Sequence, residues 1–209
     1  HYNFDAFADP SLLLAMPDVS LSAVKWFMIT DALGYYLLLL PILFYAHQQL
    51  KMISPWANAI TACGFLYVAI GAAGASILSV AWPSILERNV AATGEMKNIL
   101  QSDFLLVTDI VYYGLWNNLE VVLGGVWWLA LGLTVFNKGL TRWVTVCLGA
   151  SSLVDGLGEW LGVSLIADIG LNLYIVLGLV WPFVIGLSVI RNAGKKSAVS
   201  SGRPVTVPS

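Results

Sequence analysis

Asp155 and Glu159 stand four residues apart in SSLVDGLGEWLGVSL, residues 151–165, so on a helix they share one face. Apolar stretches flank this segment, and it holds no lysine or arginine. Two carboxyls so placed in a low-dielectric setting cannot both be comfortably ionised. Three arrangements resolve the conflict. One carboxyl carries a proton and donates a hydrogen bond, a cation binds between them, or water solvates both. The chemistry on offer is therefore binding of a proton, a cation or a small polar ligand, or general acid–base work by two carboxyls.

Other polar residues interrupt the apolar runs in the same way. Asp109, Tyr113, Asn117, Glu120 and Gly124 step by three or four residues and predict one helical stripe. Ser152, Asp155, Glu159 and Gly162 predict a second, and Asp31 shares a face with Gly34 and Tyr35. The candidate binding residues are Asp31, Asn117, Asn118, Glu120, Asp155, Glu159 and Asn172, with Tyr35, Tyr36, Tyr112, Tyr113 and Trp160 at the rim. Such groups in membrane helices face a bundle interior or a wet cavity. The competing reading is a hydrogen-bonded network that holds the helices in register, worth ~0.6 kcal/mol per contact on average.

Several chemistries are disfavoured. The histidines are His1, at the terminus, and His47, at the far end of the first apolar run; Cys63 and Cys147 each sit inside an apolar run. A transition-metal site recruits such residues, and a di-iron carboxylate site wants Glu-x-x-His pairs. No metal or cofactor is expected, and an all-oxygen cluster suits protons or a hard cation. Ser151-Ser152 has no histidine partner for a hydrolase triad. Without basic clusters interleaved with aromatics, nucleic acid is not expected as a partner.

The elements that must position these residues follow from composition. The chain has 209 residues, 58% hydrophobic and 11% charged, with mean hydropathy +0.81. Soluble domains carry roughly 25% charged residues. The apolar runs are continuous, near the ~20 residues that span a bilayer, and not alternating as in a barrel. The expectation is an all-α, polytopic transmembrane helical bundle in one domain, residues 1–190. Its five spans lie at about 24–46, 56–80, 104–136, 140–166 and 169–190. Residues 1–23, with Phe4, Phe7 and Leu12 to Leu14, read as an interfacial segment, and the start at His1 leaves room for a preceding helix. Residues 191–209 read as a flexible tail.

Pro41 and Trp181-Pro182 predict bends, and Trp82-Pro83 the end of the second span. Residues 87–103 read as a polar loop. The third apolar region would be ~50 Å long as one helix, against a ~30 Å hydrocarbon core, so a break is expected at 114–118. Gly158 and Gly162 form a GxxxG pair for close helix approach. An outside N-terminus places Lys51, Lys138, Arg142, Arg191, Lys195, Lys196 and Arg203 inside and Lys25, Arg88 and Lys97 outside. That bias puts the C-terminus in the cytoplasm and the polar residues in the outer half of the membrane.

The phrases LGYYLLLLPILFY, residues 33–45, and LGGVWWLALGLTVFNKGLTRWVTVCLGA, residues 123–150, resemble small polytopic bacterial membrane proteins of uncharacterised function. In those an apolar helix ends in a short basic turn and leads into a Gly-rich helix. The resemblance implies a bacterial inner (cytoplasmic) membrane location and carries no catalytic residues over. The expected function is an outward-facing acidic pocket that binds a proton, cation or small polar ligand, in transport or sensing. The expected partners are the lipid bilayer, the bound ligand and other membrane subunits. One alternative is a non-catalytic subunit of a larger membrane complex, and another is a small enzyme acting on a lipid-like substrate.

Overall fold

The computed structural model describes residues 9–16, 19–136 and 138–201, with backbone alone over 189–201. Every element among the described residues is helical. A short 3-10 turn, Pro10–Leu14, is capped by the Asp9 carboxylate, which accepts from the Ser11 N–H at 3.0 Å. Five long helices follow: α1, Leu21–Ile53; α2, Ala57–Ala91; α3, residues 95–134; α4, Gly139–Leu161; and α5, Ser164–Ser201. By length and composition, Leu21–Ile53, Ala57–Ala91 and Ser164–Ser188 can cross a membrane. The expected positions of Phe4 and Phe7 and of residues 202–209 lie outside the described residues.

Local chemistry explains the joints. Ser20 accepts from the Ala23 N–H and opens α1. Gly94, Gly139 and Gly162 adopt positive φ of 58°, 73° and 67°, a conformation that side chains resist. At Gly162 the chain closes α4 with two bonds, Gly162 N–H to Glu159 O and Val163 N–H to Gly158 O. Gly162 is thus a helix stop, and the fourth and fifth spans meet there, not at the expected 166–169. Gly158 does allow close approach, because a Cβ on it would lie 2.3 Å from the Ala167 nitrogen.

Five further expectations are corrected. The polar loop at 87–103 is almost all helix: α2 runs to Ala91 and α3 begins at Glu95. Pro83 lies inside α2 and does not end it. The third region does not break at 114–118; it widens into a π-helical stretch, Asp109–Glu120, between α-helical Glu95–Thr108 and Val121–Thr134. In α1 the disturbance lies ahead of Pro41, with a π-helical stretch at Asp31–Tyr36 and a 3-10 turn at Leu37–Leu39. Pro41 has no N–H for the Leu37 carbonyl, which takes the Leu40 N–H instead. The fifth helix continues through Ser201, past its expected end at 190.

Short connections make successive helices antiparallel. The side-chain pairings agree: His47 with Thr61, Trp82 with Thr108, and Trp181 with Thr145. Two apolar cores result. One surrounds Trp127, Trp128, Leu131, Leu148 and Trp181 near the connections at 54–56 and 135–138. The other joins Met28, Leu78, Trp82, Leu86 and Phe104 toward the opposite end. Leu13 and Leu14 pack on this second core, so that part of the N-terminal segment covers the α2–α3 hairpin. At ~1.5 Å per residue, α3 rises ~37 Å beyond Glu120 toward that end, while α4 stops ~9 Å beyond Asp155.

Candidate acidic site

Glu120 is the last residue of one π-helical stretch and Tyr36 the last of the other. A π turn adds a residue to the helical circuit and turns side chains off the regular α-helical faces. Here the two meet, and the Tyr36 hydroxyl donates to the Glu120 carboxylate, 2.9 Å from Oε1 and 3.1 Å from Oε2. Both residues are buried, at 5% and 3% exposure. Gly71 on α2 makes the slot for the Tyr36 ring, since a Cβ there would lie 1.9 Å from Cε1. Gly74 does the same for Trp116, 2.3 Å from its Nε1. The small-residue run of α2 is therefore shaped around the aromatics beside the acid.

Asp155 is fully buried, at 0% exposure. The α5 backbone crosses directly over it, and a Cβ on Gly170 would lie 2.4 Å from the Asp155 nitrogen. On the neighbouring face Ser152 donates to the Val121 carbonyl at 2.6 Å, where the π stretch ends. Neither carboxylate oxygen of Asp155 accepts a hydrogen bond from the protein. Its electrostatic neighbours are Glu159 and Asp168, and Glu120 in turn senses Asp31 and Asp155. Among the described residues, the charged groups that act on these two acids are all carboxyls.

A ring of three phenols sits beside this cluster. Tyr67 lies 2.6 Å from Tyr174 and 3.1 Å from Tyr35, and Tyr35 lies 2.7 Å from Tyr174, oxygen to oxygen. The ring ties α1, α2 and α5 together. Gly124 leaves room for the Tyr67 ring, 2.6 Å from where its Cβ would be.

The structure thus gathers Asp31, Glu120 and Asp155, with half-buried Glu159 at the edge. Asn117 is buried at 7% exposure. Asn118 donates to the Tyr113 carbonyl at 2.8 Å and closes the wide turn. Asn172 is exposed and donates to the Asp168 carbonyl at 2.7 Å, so its amide is used within α5. Among the expected rim residues, Tyr35 joins the phenol ring, while Tyr113 and Trp160 are exposed at 38% and 60%. Sequence reasoning missed Tyr67, Tyr174 and Asp168, and placed Ser152 on the Asp155 stripe without giving it a role. The first two had a signal, since a tyrosine deep in an apolar run needs a partner for its hydroxyl. Among the described residues no group of three His, Cys, Asp or Glu side chains is placed to hold a metal ion.

No protein-family model, curated protein or solved structure matches this chain. What the site does is therefore argued from its geometry.

Proposed function

We propose that this chain is a five-span protein of a bacterial inner membrane, with its N-terminus outside and its C-terminus in the cytoplasm. We further propose that its buried acids bind a proton or a small cation, in transport or sensing. Helices α3 and α4 complete the five spans, and the lysine and arginine bias supports the orientation. The connections at 54–56 and 135–138 then face the cytoplasm, and the α2–α3 hairpin tip faces outward.

One observation carries the binding reading. Asp155 is fully buried, and neither of its oxygens has a hydrogen-bond partner from the protein. A buried carboxylate left alone costs several kcal/mol, so it is matched by a proton or a positive ion. Thermal unfolding of the full chain in lipid nanodiscs tests this. A cation that binds only the folded state at 100 times its Kd stabilises it by ~2.7 kcal/mol. Protons, Na⁺, K⁺, Mg²⁺ or Ca²⁺ should shift the melting temperature of the native chain and leave Asp155→Asn unresponsive. Identical responses of the two would reduce the acids to structural glue.

A further inference from the structure

Charge is divided unevenly along the bundle. One end carries the connections at 54–56 and 135–138. The segments that build it, residues 32–86, 121–154 and 169–209, contain no Asp or Glu. Lysines and arginines recur in them, among them Lys51, Lys138 and Arg142. Helix polarity sorts these three. Lys51 lies in the last turn of α1, at the negative pole, where a cation is favoured. Lys138 and Arg142 flank the first turn of α4, at the positive pole, where carboxylates are favoured and cations are not. That turn holds no acidic residue, and Lys138, at the capping position, gives it no side-chain hydrogen bond. The first N–H groups of α4 therefore take no acceptor from a cap. Backbone and side chains present the same sign at one place, and no carboxylate in these segments answers it.

The side chains there face outward. Arg142 is half-buried, and its Nε has no hydrogen-bond partner among the described residues. Its guanidinium lies over the Trp143 ring, 5.7 Å from the centroid. Trp143 is 63% exposed and Leu140 68%, so the ring draws the cation to the perimeter of the bundle. A tryptophan so placed belongs at headgroup level. Exposed Lys138 stands one turn nearer the helix end. An anion at this place meets a planar fork, an ammonium and open N–H groups together. Above it, Trp143, Cys147, Ala150, Val154 and Leu157 are all exposed and step by three or four, forming one apolar stripe up α4. A charged head with an apolar tail fits both parts, and a soluble anion fits only the first.

We propose that Lys138, Arg142 and Trp143 bind the phosphate of an anionic phospholipid, whose acyl chains lie along the exposed stripe of α4. The proposal rests on α4 crossing the bilayer, as proposed above, and not on which side this end faces. A choline headgroup brings its own cation to a place already crowded with them, so a head of net negative charge is preferred.

The test is native mass spectrometry of the full chain in detergent micelles, titrated with phosphatidylglycerol or phosphatidylcholine. The native chain should retain phosphatidylglycerol at about tenfold lower concentration than phosphatidylcholine. Lys138→Gln with Arg142→Gln should lose that preference and still retain the choline lipid. Arg142→Lys keeps the charge without the fork and should weaken phosphatidylglycerol retention about threefold. Lys51→Gln removes a cation from the same end and should change it by less than about twofold. An equal loss in Lys51→Gln overturns the site in favour of a diffuse positive field, and no preference in the native chain overturns it outright. Both results leave the spans intact. Displacement of phosphatidylglycerol by inorganic phosphate overturns the lipid in favour of a soluble anion. Retention of neither lipid, by a chain that stays in solution without detergent, overturns the site and the membrane reading together.

Discussion

The Tyr36 hydroxyl reaches both oxygens of Glu120, at 2.9 and 3.1 Å, from the end of one π-helical stretch to the end of another. One proton serves two acceptors, so the bond fixes the carboxyl plane as well as its position. Because both residues are buried, removing the donor leaves the acid with a lost partner and no water to replace it. Tyr36→Phe should destabilise the protein by about 1–2 kcal/mol in detergent unfolding, the upper part of the range for polar contacts in membranes. A double-mutant cycle with Glu120→Gln should return a coupling energy of similar size. A coupling near zero would mean that the two merely sit side by side.

The glycines of α2 and α5 give a sharper prediction. Gly71→Ala would drive a methyl into the Tyr36 ring, and Gly170→Ala would press on the Asp155 backbone. Overpacking of this kind costs about 1–3 kcal/mol. Gly170→Ala should be the worse of the two, because a ring can tilt and a helix backbone cannot step aside alone. A Cβ on Gly186 meets nothing within 4 Å, so Gly186→Ala should be neutral or slightly stabilising. Melting temperatures that fail to separate Gly170→Ala from Gly186→Ala would contradict the close α4–α5 crossing.

Asp155→Asn should raise stability at neutral pH in the absence of added cations. The amide removes a buried negative charge that no protein donor satisfies. Asp155→Leu should do no worse if the surrounding volume accepts it, since buried ionic groups are often replaceable by apolar ones. Both variants should lose the cation response. A destabilised Asp155→Asn would show that the carboxyl has a structural partner.

The phenol ring should act as a clasp. Tyr174→Phe leaves only the 3.1 Å contact between Tyr35 and Tyr67 and frees α5 from α1 and α2 at that level. The expected loss is about 1 kcal/mol in unfolding, with the Asp155 response kept. If the response disappears while the fold survives, the phenols take part in the binding site itself.

How far the sequence reached depends on which physical signal each feature leaves. Continuous apolar runs announce helices, because a membrane or a core demands nothing more specific, and all five runs are helical in the structure. Spacing by three and four placed Glu120 and Asp155 on interior faces. The site's enclosure was not legible, since it depends on glycines such as Gly71 and Gly170 letting a ring or a backbone come close. The π-helical stretches were also hidden: the same residues read as a break, and only the meeting of Tyr36 with Glu120 shows what the widened turn achieves. Asn172 looked like a site residue on depth alone, yet its amide finds a carbonyl one turn away. Periodicity assigns a face to a side chain but does not reveal this local competition for its hydrogen bonds. Gly162 was misread for a related reason, because a glycine in a small-residue pattern and a glycine that stops a helix look alike in sequence.

Five spans with an outside N-terminus can be checked without any ligand. Cys63 is half-buried and Cys147 exposed among apolar residues. A chain carrying Cys63→Ala and Cys147→Ser therefore provides a clean background for single cysteines. Asn98 is exposed on α3 beside the Gly94 turn, and Lys51 is exposed at the last turn of α1. These positions lie at opposite ends of the antiparallel bundle, so one membrane-impermeant maleimide should distinguish them. In intact cells Asn98→Cys should label at once and Lys51→Cys only after the membrane is opened. The reverse order would invert the protein, and the Gly162 corner would then face the cytoplasm. Labelling of both from one side would mean that α2, the helix between them, does not cross the bilayer, and would overturn the five-span reading.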